Sequence, residues 1–135
     1  MLDEFPLNPV LPAQDGQRAR AFYRDVLGLR LLSGPDDDPM MFQAGNGTCV
    51  VVTEVPDRVP PPYPVVSFLV RDIDRVVTEL AERGAAFEPL PDSAAFAGQV
   101  GESRGVIMDF GPVRSAFVRD SEGNLLALNE MVSPA

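Results

Sequence analysis

The sequence predicts an α+β fold made of two tandem β-α-β-β-β modules. Three observations carry this. The stretch AGNGTCVVVTE at 44–54 returns as DSEGNLLALNE at 120–130, a polar Gly-containing turn, a short apolar strand and a closing Glu, with Glu54 and Glu130 separated by 76 positions. A second pairing sets NPVLPAQD against VVSFLVRD, with Asp15 and Asp72 separated by 57. Between the halves lies DRVPPPYP at 57–64, whose four prolines suit a stiff extended connection and no helix or central strand. The expected organisation is therefore module one at 1–56, a Pro-rich linker at 57–64 and module two at 65–135.

Taken in order, each half opens with a short alternating strand that leads to an Asp, Asp15 or Asp72, a residue type favoured as a helix N-cap. A helix follows. Ala19, Phe22, Tyr23, Val26 and Leu27 form its apolar stripe in the first half, and Ile73, Val76, Val77 and Leu80 form it in the second, both at i, i+3, i+4 spacing. Gly28 and Gly84 supply the stops. Three strand-like runs complete the first half: LRLLSG, PMMFQA and GTCVVVTEV. The second half has GAAFEPL, PVRSAFVRD and NLLALNEM, interrupted by a long loop over 91–113 in which GVIMDF reads as an extra strand.

Composition bounds the function. The 135 residues suffice for one ordinary domain, and at 45% hydrophobic and 23% charged they can bury a core. A net charge of −9 repels phosphate backbones and anionic lipid surfaces, so neither nucleic acid nor a membrane is an expected partner. The start MLDEFPLNPV has neither a basic segment nor an apolar one, and Cys49 is the single cysteine, which together suggest the reducing cytoplasm. There is no His at all. Ser-His-Asp, Cys-His and H-E-x-x-H chemistries are thereby excluded, and one Cys excludes a structural zinc site.

Three signatures carry a family resemblance. FYRDVLGL at 22–29, VRDIDRVVTELAERGAAFE at 70–88 and FVRDSEGNLLALNE at 117–130 resemble, in order and spacing, the vicinal oxygen chelate superfamily, also called the glyoxalase/bleomycin resistance protein/dioxygenase superfamily. In the closing signature Ser121 replaces a Pro and Glu122 an Asp. NPVLPAQD further resembles the opening strand of bleomycin-binding proteins. The resemblance implies an open cup of mixed β-sheet, each module forming half. It implies a homodimer, as in the family's binding proteins.

Where the family binds metal, the resemblance places the four ligands at Asn8, Val51, Val65 and Ala127. Val and Ala donate no lone pair, and one amide oxygen does not hold a divalent ion. Shifting the register by one residue substitutes only Leu, Pro and Val, so the expectation of no metal and no cofactor survives a slip. On this parity the cup face carries Asn8, Val10, Cys49, Val51 and Thr53 from module one. From module two it carries Val65, Ser67, Leu69, Leu125, Ala127 and Asn129. Val50, Val52, Val66, Phe68, Val70, Leu126 and Leu128 fall on the opposite, uniformly apolar face expected beneath the helices.

An apolar wall with sparse polar groups suits a small-molecule pocket. Asn8, Cys49, Val51, Thr53, Val65, Ser67, Leu125, Ala127 and Asn129 are the candidate ligand-binding residues, and no catalytic residue is assigned. The expected function is metal-independent binding or sequestration of an antibiotic or metabolite. The acidic balance, with Asp36, Asp37 and Asp38 in one loop, favours a cationic ligand. Two other classes stay open: a glyoxalase-like lyase, isomerase or dioxygenase-related enzyme, and a regulatory or protein-binding subunit without a pocket. Glu54 and Glu130, at strand ends on the non-cup parity, read as solvent-facing surface in preference to a catalytic pair.

Overall fold

The structure, a computed structural model, describes residues 1–89 and 102–132. It is an α+β arrangement of two compact units, Met1–Val59 and Pro60–Ala135. In the first, β1 (Val10–Ala13) leads into helix α1 (Gly16–Ala21), which continues as one π-type turn over Phe22–Val26. Then come β2 (Arg30–Leu31), β3 (Met40–Gln43) and β4 (Cys49–Glu54), giving the sheet order β1-β4-β3-β2. In the second, β5 (Pro64–Leu69), α2 (Ile73–Glu82), β6 (Ala86–Glu88), β9 (Val113–Arg119) and β10 (Leu125–Met131) repeat the pattern. The first strand of each unit runs parallel to the last: Val10 stands beside Val51, and Ser67 beside Ala127. All remaining pairs are antiparallel. Each sheet is therefore mixed, and neither closes into a barrel.

The second unit adds one hairpin, β7 (Glu102–Arg104) and β8 (Ile107–Asp109). Arg104 pairs with Ile107, and the two residues between begin with Gly105 at φ 63°, a conformation that tight hairpin turns require and that glycine adopts without a Cβ clash. GVIMDF is thus strand-forming as its pattern suggests, and part of the run expected as loop, 102–104, is strand as well. Residues 91–101 of that loop lie outside the described residues. β9 receives both β6 and β8 along the same edge, β6 opposite 117–119 and β8 opposite Arg114 and Ser115. Pro12 and Pro64 fall in β1 and β5, which are edge strands and so tolerate a missing N–H.

The helix-facing sides pack as the periodicity requires. In the first unit Leu11, Ala13, Phe42, Val50 and Val52 are buried with Ala19 and Tyr23 of the helix, and the Tyr23 ring lies 5.6 Å from that of Phe42. In the second, Ile73 and Leu80 of α2 are buried, and α2 packs on β9 and β10, whose Ala116, Val118, Leu126 and Leu128 are also buried. Each fully buried Val, Leu or Ile side chain contributes on the order of 1.5–3 kcal/mol. Gly28 (φ 71°) and Gly84 (φ 94°) end the helices in left-handed backbone, as their positions suggest.

The repeated closing Glu has a structural explanation, and it corrects the expectation that Asp72 caps its helix. Glu54 Oε1 accepts from the backbone N–H of Gly16 at 2.9 Å. Glu130 Oε2 accepts from Asp72 N at 2.6 Å and Ile73 N at 3.3 Å. In each module the last strand ends in a carboxylate that satisfies the orphan N–H groups opening its own helix, where the helix dipole also favours negative charge. Glu54 is exposed, as expected, and Glu130 is half-buried, and both carboxylates are tied to backbone. The Asp pairing is also less symmetrical than the sequence suggests. Asp15 caps α1, accepting from Arg18 N at 3.1 Å. Asp72 makes no side-chain cap and sits at φ 54°, so α2 is capped by Glu130 in its place. Arg114 joins that corner, 3.3 Å from Glu130 and 3.1 Å from Asp74.

Candidate functional site

Side chains alternate across a strand, so each sheet has a second face directed away from its helix. In the first unit this face carries Cys49, Val51 and Thr53, all half-buried, and Val10, which is exposed. Asn8 is exposed, and its Oδ1 accepts from Cys49 N at 2.8 Å, which pins the chain entering β1 to the start of β4.

In the second unit this face is more elaborate. Phe117, Leu125 and Ala127 form a buried cluster, with Ala127 directly opposite Phe117. Ala127 is 3% exposed and Leu125 is fully buried. β10 is therefore covered on both faces along Leu125–Leu128. Val65 is half-buried and Ser67 exposed.

Beyond the cluster the face opens into a pocket of about 250 Å³, lined by Phe110, Pro112, Val113, Ser115, Phe117, Asn129 and Met131. Its polar floor is ordered. Ser115, 4% exposed, donates from Oγ to Asn129 Oδ1 at 2.7 Å, and Asn129 Nδ2 donates to Ser67 Oγ at 2.5 Å. The walls are two phenyl rings, a proline, a valine and a thioether.

Of the residues singled out from sequence, Asn129 lines this pocket, Ser67 is hydrogen-bonded to it, and Ala127 and Leu125 lie in the packed cluster beside it. Asn8, Cys49, Val51 and Thr53 belong to the first unit. Sequence reasoning did not single out Phe110, Pro112, Val113, Ser115, Phe117 or Met131. The signal for three of them was available: in PVRSAFVRD, residues 113, 115 and 117 share one strand face, and Ser115 stands opposite Asn129.

The acidic loop makes a smaller recess of about 70 Å³ with Gly16, Gln17, Met40 and Glu54. Its carboxylates stitch the chain locally. Asp36 accepts from Gln17 Nε2 at 3.3 Å, Asp37 from Gly34 N at 2.7 Å, and Asp38 from Glu54 N at 3.1 Å.

The donor set for a metal does not fit. Val51, Val65 and Ala127 carry no donor atom, and the one amide oxygen, that of Asn8, already accepts from Cys49 N. Among the described residues, no three His, Cys, Asp or Glu side chains are grouped so as to hold an ion. Among the same residues, no helix is long and apolar enough to cross a membrane.

Comparison with known proteins gives a consistent fold. The model of the Glyoxalase/Bleomycin resistance protein/Dioxygenase superfamily matches residues 7–128. A glyoxalase/bleomycin resistance protein from Catenulispora acidiphila is 21% identical, with 95% of this chain and 99% of that chain covered and a TM-score of 0.67. A glyoxalase/bleomycin resistance protein/dioxygenase from Alicyclobacillus acidocaldarius is 20% identical over 96% and 92% of the two chains, with a TM-score of 0.68. A structure described as oxidase ChaP-H2 is 19% identical over 97% and 96%, with a TM-score of 0.67. A search of curated proteins returns no match.

Proposed function

The chain belongs to the glyoxalase/bleomycin resistance protein/dioxygenase superfamily, and from that premise we propose that it binds a small molecule without a metal, in the pocket on the second unit's inner face. One observation carries the reading: Phe110, Phe117, Val113 and Met131 make apolar walls around a hydrogen-bonded Ser115–Asn129 pair. Apolar area supplies affinity there, and the polar pair fixes orientation. Sequestration asks for nothing more, because it forms and breaks no bond. The metal chemistry of related enzymes asks for lone pairs that Val51, Val65 and Ala127 lack. In this reading the protein works in the cytoplasm on an antibiotic or metabolite.

The test is a thermal-melt screen of untagged protein against antibiotics and metabolites, followed by titration calorimetry on each stabilising compound. A ligand should raise the melting temperature by mass action. EDTA should leave its affinity unchanged, and Phe110→Ala should weaken it. Elemental analysis after exposure to Mn, Fe, Co, Ni and Zn should show well under one metal per chain. Stoichiometric metal that survives dialysis, or chemical turnover of the bound compound, would overturn the reading.

A further inference from the structure

We infer that the molecule taken by the second-unit pocket is uncharged and presents a paired donor and acceptor, of the amide or lactam kind, to the carboxamide of Asn129. The inference rests on the proposed binding function and specifies its ligand.

Charge is the first part. Among the described residues, the seven that line the pocket include no ionisable side chain. The charges nearest in sequence are turned elsewhere or paired. Arg114 and Glu130 lie on the opposite face of β9 and β10 and bridge each other at 3.3 Å. Asp109 stands opposite Arg114 on that same face and accepts from Gly111 N at 2.9 Å. Arg119, farther along β9, is bound to Glu88 at 2.9 Å and to the carbonyl of Gly123 at 2.8 Å. An ionic ligand entering the pocket would lose hydration and gain no counter-charge from the described lining, a large penalty. The chain's net charge of −9, which by itself favours cations, is not expressed in the lining.

The second part is the amide. Asn129 Oδ1 accepts one hydrogen bond, from Ser115, and Nδ2 donates one, to Ser67. A carboxamide accepts two and donates two, so among the described residues one acceptor site and one N–H of Asn129 have no partner. Each serine hydroxyl can donate or accept, so in either orientation the amide keeps both bonds and presents one acceptor site and one N–H side by side. A group with its own C=O and N–H side by side can satisfy both sites together. A lone hydroxyl or ether satisfies one and leaves the other desolvated, which costs affinity.

The twin module shows that the fold does not demand this arrangement. By the repeat offsets, 67 − 57 gives Val10 and 129 − 76 gives Thr53 in the places of Ser67 and Asn129. The parallel pairing is the same in both: Val10 beside Val51 and Pro12 beside Thr53, against Ser67 beside Ala127 and Leu69 beside Asn129. Module one builds that pairing without the polar trio, and β3 begins at Met40, opposite Val52, so it places no residue opposite Thr53. The trio is a property of the pocket, not of the strands. A volume of about 250 Å³ suits a fused two-ring system.

Four bicyclic probes test this by calorimetry: isoquinolin-1(2H)-one, its N-methyl derivative, 1-naphthoate and 1-naphthylmethylammonium. The lactam should bind tightest, and N-methylation, which removes its donor, should cost about tenfold. Both ions should bind at least about tenfold more weakly than the lactam. Asn129→Asp keeps the shape, and the Ser115 and Ser67 hydroxyls can both donate to the new carboxylate. In that variant the lactam should weaken by about tenfold and the ammonium probe should become the tightest of the four, a reversal that a merely structural Asn129 would not produce. An ion that matches the lactam on the wild-type protein, or a lactam affinity unaffected by Asn129→Asp, would overturn the inference. Failure of all four probes at millimolar concentration, while a charged compound from the broader screen binds, would overturn the inference and leave the binding function standing. If no compound of either set binds, both fall.

Discussion

Removing the carboxylate of Glu130 should destabilise the protein more than removing that of Glu54, although the two are equivalent by repeat. Glu130→Ala takes away the acceptor of two backbone N–H groups, at 2.6 and 3.3 Å, and one partner of Arg114, whose side chain is only 18% exposed. No side-chain cap replaces it, since Asp72 makes none. Loss of an N-cap costs roughly 0.5–2 kcal/mol, and a hydrogen bond to a charged group contributes about 1.5–3 kcal/mol net. Partial rehydration of the exposed Asp72 N–H recovers some of this, and a total of about 2–3 kcal/mol follows. Glu54→Ala removes one bond, from Gly16, and α1 keeps its Asp15 cap, so about 1 kcal/mol is expected. Urea unfolding read by circular dichroism resolves the difference. With a slope of about 1.5 kcal/mol per molar, the midpoint should fall by about 1.5 M for Glu130→Ala and about 0.7 M for Glu54→Ala. Asp72→Gly should stay within about 0.5 kcal/mol of wild type, because glycine relieves the φ of 54° and no cap is lost. Equal losses for the two glutamates, or a larger loss at Asp72 than at Glu130, would refute this account of the repeat.

Three further outcomes are expected. Gly16→Ala places a Cβ 2.5 Å from Glu54 Oε1 and displaces the capping carboxylate, so it should cost about 1 kcal/mol alone and add little to Glu54→Ala in a double-mutant cycle. Ala127→Trp forces an indole into the Phe117–Leu125 cluster and should lower stability by about 1–3 kcal/mol or more, whereas a melt like wild type would show a void at that point. A second copy of the chain should cover apolar surface such as Phe5, 62% exposed, and Leu7, 82% exposed, so light scattering at micromolar concentration should report twice the chain mass; a clean monomer would exclude the dimer.

The modular plan was legible because it depends on short-range periodicity and on a repeat. Ala19 and Tyr23, or Ile73 and Leu80, recur at helical spacing and are buried as that spacing requires. The inner face was legible only in parity. Leu125 and Ala127 fall on it as expected, but which part of a face is filled and which is open depends on the residue across the strand, and Phe117 closes one part while Ser115 leaves another. That neighbour relation is set by strand register, which a one-dimensional pattern states only after pairing is known. The capping glutamates were missed for the same reason. Glu130 lies 58 positions from the N–H it accepts, and no local rule for helix starts looks that far along a chain.

The capping carboxylate at the end of β4 and of β10 also sets the order in which a module can form. The first strand of each module waits for the last before it has a parallel neighbour, and that same strand brings the carboxylate that answers Gly16 N in α1, which Asp15 already caps locally, and Asp72 N and Ile73 N in α2, which has no local cap. Two long-range closures thus fall on one late segment. Its docking bears the loop-closure entropy of nearly the whole module, the kind of long-range pairing that slows folding. A module cut short of its last strand is left with its first strand unpaired, and in the second module with α2 uncapped as well. The smallest length of chain that closes on itself is the complete β-α-β-β-β unit, and that is the length this sequence carries twice.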